Sequence, residues 1–188
     1  MTVVTGSDLP LVALDAYWRA ANDMAATRPT CRISWTLLAG IGRSESNHGR
    51  STGGQPGPDG TVSVPVYGIP LDGTGGTRAV PDTDKGVLDL DPTFDRAVGV
   101  MQFIPGTWKR YAEDESGDKV ADPQNIYDAA LATAKLLCAT GTGLDQPEAL
   151  RAAFYVYNRS QEYAQIVLDR ALDYQKVPVP AVADPPRD

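Results

Sequence analysis

The chain has 188 residues, of which 42% are hydrophobic and 22% charged, a composition typical of one globular domain with a sizeable core. Its formal net charge is −7 and its basic residues form no run, so it lacks the electrostatic footprint of a nucleic-acid-binding protein, and an anionic membrane would repel it. No segment approaches the roughly 18 consecutive apolar residues of a membrane span, and the first nine residues lack the regions of a signal peptide.

The first predicted helix covers 8–26. Asp8 is a candidate cap for this helix, and Pro10 falls in its first turn. Apolar residues then recur at helical spacing, which predicts one buried stripe. The stripe consists of Leu14, Trp18, Ala21 and Ala25.

The second predicted helix, 34–48, carries a carboxylate on its apolar face. The residues that share this face are Trp35, Leu38, Gly42 and Glu45. Desolvation and the negative end of the helix dipole both disfavour an ionised carboxylate, so the pKa of Glu45 should be raised. A carboxylic acid that stays protonated near neutral pH can serve as a general acid. The alternative is a partly exposed Glu at a frayed helix end before Gly49.

A long segment rich in Gly, Pro and Asp, 51–92, follows the second helix. It has one short alternating piece at 62–67, so we predict a long loop with room for a small hairpin, and a loop of this length is usually functional or mobile. Its acidic part resembles a calcium loop, but the sixth and twelfth positions counted from Asp82 hold Val87 and Thr93 instead of the Gly and Glu of an EF-hand. A solvated acidic loop is therefore favoured, and no metal site is predicted.

Helices are again predicted in the second half of the chain. Pro105 opens one that runs to about 115, and the next, from Asp122 to Gly141, has a clear apolar face. That face consists of Ile126, Ala130, Thr133 and Leu137. Two further helices are predicted at 147–157 and 160–175, before a Pro-rich tail at 177–188. The prediction is a mostly α-helical domain over 1–176 with a loop or hairpin insertion at 51–92.

The two cysteines, Cys31 and Cys138, have no CxxC partner. Because His48 is the only histidine, a tetrahedral zinc site of Cys and His is nearly excluded. A disulfide between the cysteines is possible, and two buried free thiols are the alternative at this point. No cofactor is predicted.

Three other signals are less specific. Gly49, Ser51 and Gly53 spell the GxSxG of a hydrolase elbow, but the required strand before it and late His after it are missing. Gln102 lies in an apolar run just before a helix, where it could bind a sugar or bond to the backbone. Four tyrosines could be core residues or a sugar-stacking surface. They are Tyr155, Tyr157, Tyr163 and Tyr174.

Four motifs occur in a fixed order between Ile33 and Ala171. They are SES and HG around Glu45, DRAVGVMQFIPGTW at 95–108, DPQNIYDAALATAKLL at 122–137, and YN.S..Y at 157–163. Together they resemble the lytic murein transglycosylases of the membrane-bound B type, relatives of the goose-type lysozyme fold. The chain lacks the lipoprotein start usual in that family, so we expect a soluble variant.

The resemblance implies a lysozyme-like fold and an enzyme that cleaves peptidoglycan between N-acetylmuramic acid and N-acetylglucosamine. It implies that Glu45 is the sole catalytic carboxylate, that Gln102 lines the sugar cleft and that Asn158 helps to hold the intermediate. The other expected substrate-binding residues are Ser46, Thr93, Met101, Phe103, Tyr127 and Tyr157. The resemblance also implies a Cys31–Cys138 disulfide in an exported protein of the cell envelope or extracellular space, acting as a monomer.

The implied reaction uses no water, because the C6 hydroxyl of the muramic acid attacks its own C1 and leaves a 1,6-anhydro end. Two alternatives stay open at this point. A hydrolytic muramidase would need a second carboxylate, for which Asp95 is the closest candidate to the Gln102 motif. A peptidoglycan-binding module would carry Glu45 as a structural residue only.

Overall fold

A computed structural model describes residues 2–157 and 160–178, in which helices predominate. The fold is mostly α-helical, as predicted, and its only named sheet in these residues has two strands. The elements in chain order are α1 (Leu11–Thr27), α2 (Trp35–Ser46), β1 (Tyr67–Pro70), β2 (Arg96–Val98), α3 (Pro105–Tyr111), α4 (Ile126–Thr140), α5 (Pro147–Tyr157) and α6 (Gln161–Gln175).

The core forms where α1 packs against α4 and α2 packs against α6, with α1 and α2 also in contact. The crossing of α2 and α6 is close because Gly40 has no side chain. An added Cβ there would lie 2.7 Å from the Val167 carbonyl oxygen, so a larger residue would push the two helices apart. This crossing brings the end of α2 to the first turns of α6.

The N-terminal helix differs from its prediction in two ways. Pro10 is its N-cap, and Asp8 caps nothing, because the Asp8 carboxylate accepts a hydrogen bond from Tyr174 instead. Leu14 and Ala21 are buried as predicted, but Trp18 and Ala25 are not the core residues of this stripe. The buried residues are instead Tyr17 and Met24, each of which comes immediately before one of the predicted residues, so the buried face of α1 is rotated by one position from the prediction.

The C-terminal half follows the prediction more closely. The four apolar-face residues of α4 are all buried. The helix begins at Ile126 and not at Asp122, because Asn125 is its N-cap and accepts a hydrogen bond from the Tyr127 N–H. Helix α3 ends at Tyr111, earlier than predicted, and α5 and α6 lie where they were expected. The tail prediction falls mostly outside the described residues.

The 51–92 segment contains no helix, in agreement with the loop prediction. The small hairpin expected in this segment corresponds to a short turn in which Pro56 and Val62 form an antiparallel bridge. Strand β1 begins at Tyr67 and pairs antiparallel with the distant β2. The middle of this segment is therefore attached to the strand that leads into the Gln102 motif.

Cys31 and Cys138 form the disulfide that the resemblance implied. Their Cα atoms lie 5.3 Å apart, and the bond ties the chain before α2 to the end of α4. It confirms the pairing over the alternative of two free thiols.

Candidate active site

Glu45 lies in the last turn of α2, half-buried, and the hydroxyl of Tyr163 on α6 donates a hydrogen bond to its Oε1. Burial raises the pKa of Glu45 from its ordinary 4.5 to about 7, although the Tyr163 bond acts in the opposite direction and lowers it. The position at the negative end of α2 agrees with a disfavoured carboxylate. The raised pKa predicted from the sequence is thus accounted for mainly by desolvation.

The helix that carries Glu45 is capped at both ends. The Ser34 hydroxyl accepts a hydrogen bond from the Leu37 N–H at the start of α2, and Asn47 ends the helix in the left-handed conformation. The chain then turns back under the helix. This turn places Ser46 and His48 inside the protein.

Ser46 connects the end of α2 to the Gln102 motif. Its hydroxyl donates to the Val100 carbonyl oxygen at 2.6 Å and accepts from the Gly49 N–H at 2.7 Å, and the residue is almost fully buried. Both bonds are internal to the protein. The geometry therefore supports a positioning role for Ser46, and its predicted contact with substrate stays a prediction.

The Gln102 motif is a tight turn between β2 and α3. Val98 and Phe103 exchange two backbone hydrogen bonds of 2.8 and 2.9 Å, and Gln102 lies between them at φ 51°. Gly99 has φ 79°, and an added Cβ would lie 1.9 Å from the Pro123 carbonyl oxygen, so only glycine fits. The turn is therefore held against the segment before α4.

The turn presents Gln102 and buries its neighbours. The Nε2 of Gln102 donates to the Gly99 carbonyl oxygen at 2.9 Å, and the side chain is half-buried. Met101 is fully buried, and Phe103 is buried edge-on against Trp108 with ring centroids 5.3 Å apart. Met101 and Phe103 thus support the turn from below, and their predicted contact with sugar stays a prediction.

Strand β1 adds a wall beside Gln102. The position of an ideal Cβ on Gly68 lies 3.2 Å from Gln102 Oε1, so β1 runs directly past this side chain. The long insertion therefore contributes to the surroundings of the Gln102 motif.

The remaining predicted site residues are placed elsewhere or lie beyond the description. Tyr127 packs between α4 and α1, where its hydroxyl donates to Asp15 at 2.9 Å and burial raises its pKa to about 12. Thr93 is exposed on the loop before β2. The side chain of Tyr157 and all of Asn158 lie outside the described residues, so their predicted roles stay predictions.

Tyr163 contacts Glu45 and was not among the predicted site residues. It is the last tyrosine of the YN.S..Y motif, and only the crossing of α2 and α6 shows that it reaches Glu45. The helix that carries it starts immediately before, because the Ser160 hydroxyl caps the Tyr163 N–H. Its place in the YN.S..Y motif was the one feature of the sequence that could have identified Tyr163 as a site residue.

Among the described residues, one group of carboxylates could hold a cation, and it lies at the end of the insertion and just after it. Ligand atoms of Asp82, Asp84 and Asp95 are all within 4.8 Å of one another. Asp82 accepts hydrogen bonds from three backbone N–H groups of its own loop, at Asp84, Lys85 and Gly86. These hydrogen bonds order the acidic turn, and the prediction of a solvated acidic loop in place of a calcium loop stays a prediction.

The GxSxG signal does not form a nucleophile site. Ser51 is exposed, whereas His48 is fully buried and both of its ring nitrogens are bonded to tyrosines. Among the described residues, no helix is both long enough and apolar enough to cross a membrane.

Comparison with known proteins gives one match. Residues 90–154 match a family described as "Transglycosylase SLT domain", a stretch that includes the Gln102 turn and α4 but not Glu45. Neither curated proteins nor solved structures gave a match to the chain. The six described helices and small sheet make a mostly α-helical fold that is consistent with a lysozyme-like domain, and the match over 90–154 supports similarity to the SLT superfamily. The resemblance to the membrane-bound B type rests on the sequence motifs alone.

Proposed function

We propose that the protein is a lytic transglycosylase that cleaves the β-1,4 bond between N-acetylmuramic acid and N-acetylglucosamine in peptidoglycan. Glu45 acts first as general acid and then as general base. The observation that carries the proposal is the half-buried Glu45 with a pKa of about 7 and a hydrogen bond from Tyr163. A group whose pKa lies near the working pH can both give and take a proton, which is what one residue in two roles requires.

The reaction begins with proton transfer from Glu45 to the glycosidic oxygen as positive charge develops at the muramic C1. The carboxylate that remains then accepts the proton of the C6 hydroxyl on the same sugar. That oxygen attacks C1 and closes the 1,6-anhydro ring. Because nucleophile and electrophile belong to one molecule, the attack is intramolecular, and no second protein carboxylate is needed.

The surroundings of Asp95 support this reading over hydrolysis. Asp95 is fully buried, and its two oxygens accept hydrogen bonds of 2.8 Å from the backbone N–H and the hydroxyl of Thr83. A carboxylate used in this way orders the insertion loop. It is poorly suited to activate a water molecule at the sugar.

The test is digestion of purified glycan in water enriched in heavy oxygen, followed by mass measurement of the products. Transglycosylation gives fragments one water lighter than hydrolysis products, with no label. A predominance of labelled reducing ends would overturn the proposal in favour of a hydrolytic muramidase.

Glu45→Gln is the companion variant in this assay. It keeps the shape of the side chain and removes the transferable proton, so cleavage should fall by at least the roughly 100- to 10,000-fold that general acid–base catalysis contributes. Near-normal cleavage by the folded variant would favour a different catalytic residue. No cleavage by the wild type would favour a peptidoglycan-binding module.

The proposed substrate also determines the cellular compartment in which we expect the protein. A protein that acts on peptidoglycan must be exported, and the Cys31–Cys138 disulfide agrees with an oxidising compartment. We expect it to act on glycan strands as a monomer, without a cofactor.

A further inference from the structure

A series of linked hydrogen bonds begins close to Glu45 in the sequence, at the buried His48. His48, three residues after Glu45, is fully buried, with its Nδ1 3.0 Å from the Tyr17 hydroxyl and its Nε2 2.8 Å from the Tyr174 hydroxyl. Tyr174 in turn donates to Asp8 Oδ1 at 3.0 Å. The other carboxylate oxygen of Asp8 forms an ion pair with Arg43 on α2. We call these five residues the His48 network.

The hydrogen-bond pattern assigns the proton positions in this network. Tyr174 has one hydroxyl proton, and it is directed to Asp8, so the Tyr174 oxygen must accept from a protonated Nε2 of His48. The bare Nδ1 then accepts from the Tyr17 hydroxyl. His48 is neutral in a single tautomer, and every ring nitrogen has a partner of the correct kind.

The backbone at His48 is held in a conformation that needs such support. Asn47 and His48 have φ angles of 54° and 57°, and Gly49 follows at 80°. Left-handed conformations of residues other than glycine are sterically unfavourable and persist only where surrounding contacts hold them. The His48 ring provides such contacts immediately after the turn that contains Glu45.

Gly42 shows how closely the network packs against α2. A Cβ at this position would lie 2.0 Å from the Tyr17 hydroxyl oxygen and 3.4 Å from His48 Nδ1. Both side chains therefore rest on the bare backbone of the helix, one turn before Glu45. Any displacement of the ring would be transmitted to the helix end.

The network also connects α2 and α6, the two helices that carry Glu45 and Tyr163. Tyr174 belongs to α6, the helix whose Tyr163 donates to Glu45, and Arg170 of α6 donates to Ser44 at 2.7 Å. Both of these contacts lie further along α6 than Tyr163, so they hold α6 against the end of α2 in addition to the Glu45–Tyr163 bond.

We propose that His48 is a positioning residue for the reaction: its network, bonded to Tyr17 and Tyr174, holds the end of α2 so that Glu45 meets the Tyr163 hydroxyl. This inference rests on the proposed function of Glu45. It goes beyond that function because it assigns a catalytic consequence to residues that do not touch the sugar.

The test uses variants that each delete one hydroxyl, Tyr17→Phe and Tyr174→Phe. The control is Thr133→Val, which deletes a buried hydroxyl that bonds only within α4. At a temperature where all three are folded, the tyrosine variants should lower kcat by about 10- to 100-fold with KM nearly unchanged, as expected for a misplaced acid. The alkaline limb of the kcat profile should move to higher pH, because a weakened Tyr163 bond no longer lowers the pKa of Glu45.

A second measurement needs no substrate and separates this inference from the proposed function. The carboxyl carbons of the glutamates can be labelled with carbon-13, and the Glu45 signal identified by its loss in Glu45→Gln. Its titration midpoint should move to higher pH in both tyrosine variants and stay in place in Thr133→Val. An unchanged or lowered midpoint overturns the inference, even where the wild type produces anhydro ends. Absence of anhydro ends from the wild type overturns the proposed function instead.

His48 itself gives the last comparison. Gln can offer one donor and one acceptor, so His48→Gln should retain much more of kcat than His48→Leu, which offers neither. Equal kcat values for the two folded variants would show that the network serves stability alone and would overturn the inference.

Discussion

Replacing Glu45 with Gln should stabilise the protein at alkaline pH while it removes activity. The pKa of Glu45 is raised from 4.5 to about 7 in the folded protein, so folding binds its proton more tightly. A group of this kind contributes stability that is fully present below pH 4.5 and is lost as the pH rises through 7. Gln carries no charge at any pH and avoids this loss.

The size of the effect follows from the pKa shift. Each pKa unit corresponds to 1.36 kcal/mol, so a rise from 4.5 to about 7 gives about 3 kcal/mol at most. Because Glu45 is only half-buried, solvent screening reduces this to about 2–3 kcal/mol. For a chain of this length, that difference should raise the melting temperature of Glu45→Gln relative to wild type by about 5–10 °C more at pH 8 than at pH 4.

The assay is urea unfolding of the wild type and the variant at several pH values between 4 and 9. The variant-minus-wild-type difference in unfolding free energy should increase between pH 4.5 and 7 and then level off. Glu148→Gln, at an exposed position, is the control and should show a difference of less than about 1 kcal/mol at every pH. A Glu45→Gln difference that does not vary with pH would refute the argument from desolvation.

Three further predictions concern the same framework. Tyr163→Phe should move the alkaline limb of cleavage to higher pH, measured as the pH profile of kcat, because the lost hydrogen bond lowered the pKa of Glu45. Reduction of Cys31–Cys138 should cost about 4–5 kcal/mol by the chain-entropy argument for a closed loop of 107 positions, seen as a fall in melting temperature on adding reductant. Gly99→Ala should destabilise by more than about 2 kcal/mol in urea unfolding and impair cleavage, since its Cβ overlaps a backbone carbonyl; an unaffected enzyme would contradict the tight turn.

The sequence predicted those parts of the fold that depend on local periodicity. The α4 face was correct because four residues with one spacing all meet the same core. The α1 stripe was partly wrong because a period of 3.6 accepts either Trp18 or Tyr17 after Leu14. The choice is made by a distant contact, the hydrogen bond between Tyr17 and His48, which sequence spacing does not contain.

The candidate site shows the same division. The raised pKa of Glu45 was predictable because its main cause, burial on an apolar helix face, is visible in the sequence. The pairing of β1 with β2 and the contact of Tyr163 with Glu45 depend on how separate segments cross, so they were not predictable from spacing. The order of the motifs indicated which segments contribute to the site, whereas the contacts between those segments are seen only in the fold.

Glu45 and His48 affect stability in opposite directions within a few residues of each other. Burial lowers the pKa of His48 well below its ordinary 6.5, and the charges of Arg50, Arg43 and Arg170 lower it further. Its stability contribution is therefore present above pH 6.5 and lost as the pH falls, whereas that of Glu45 is lost as the pH rises from 4.5 to 7. Between pH 4.5 and 6.5 the two slopes oppose each other. The helix end that carries the proposed acid, Glu45, is therefore followed by a neutral histidine, and together the two groups reduce the change in wild-type stability between pH 4.5 and 6.5.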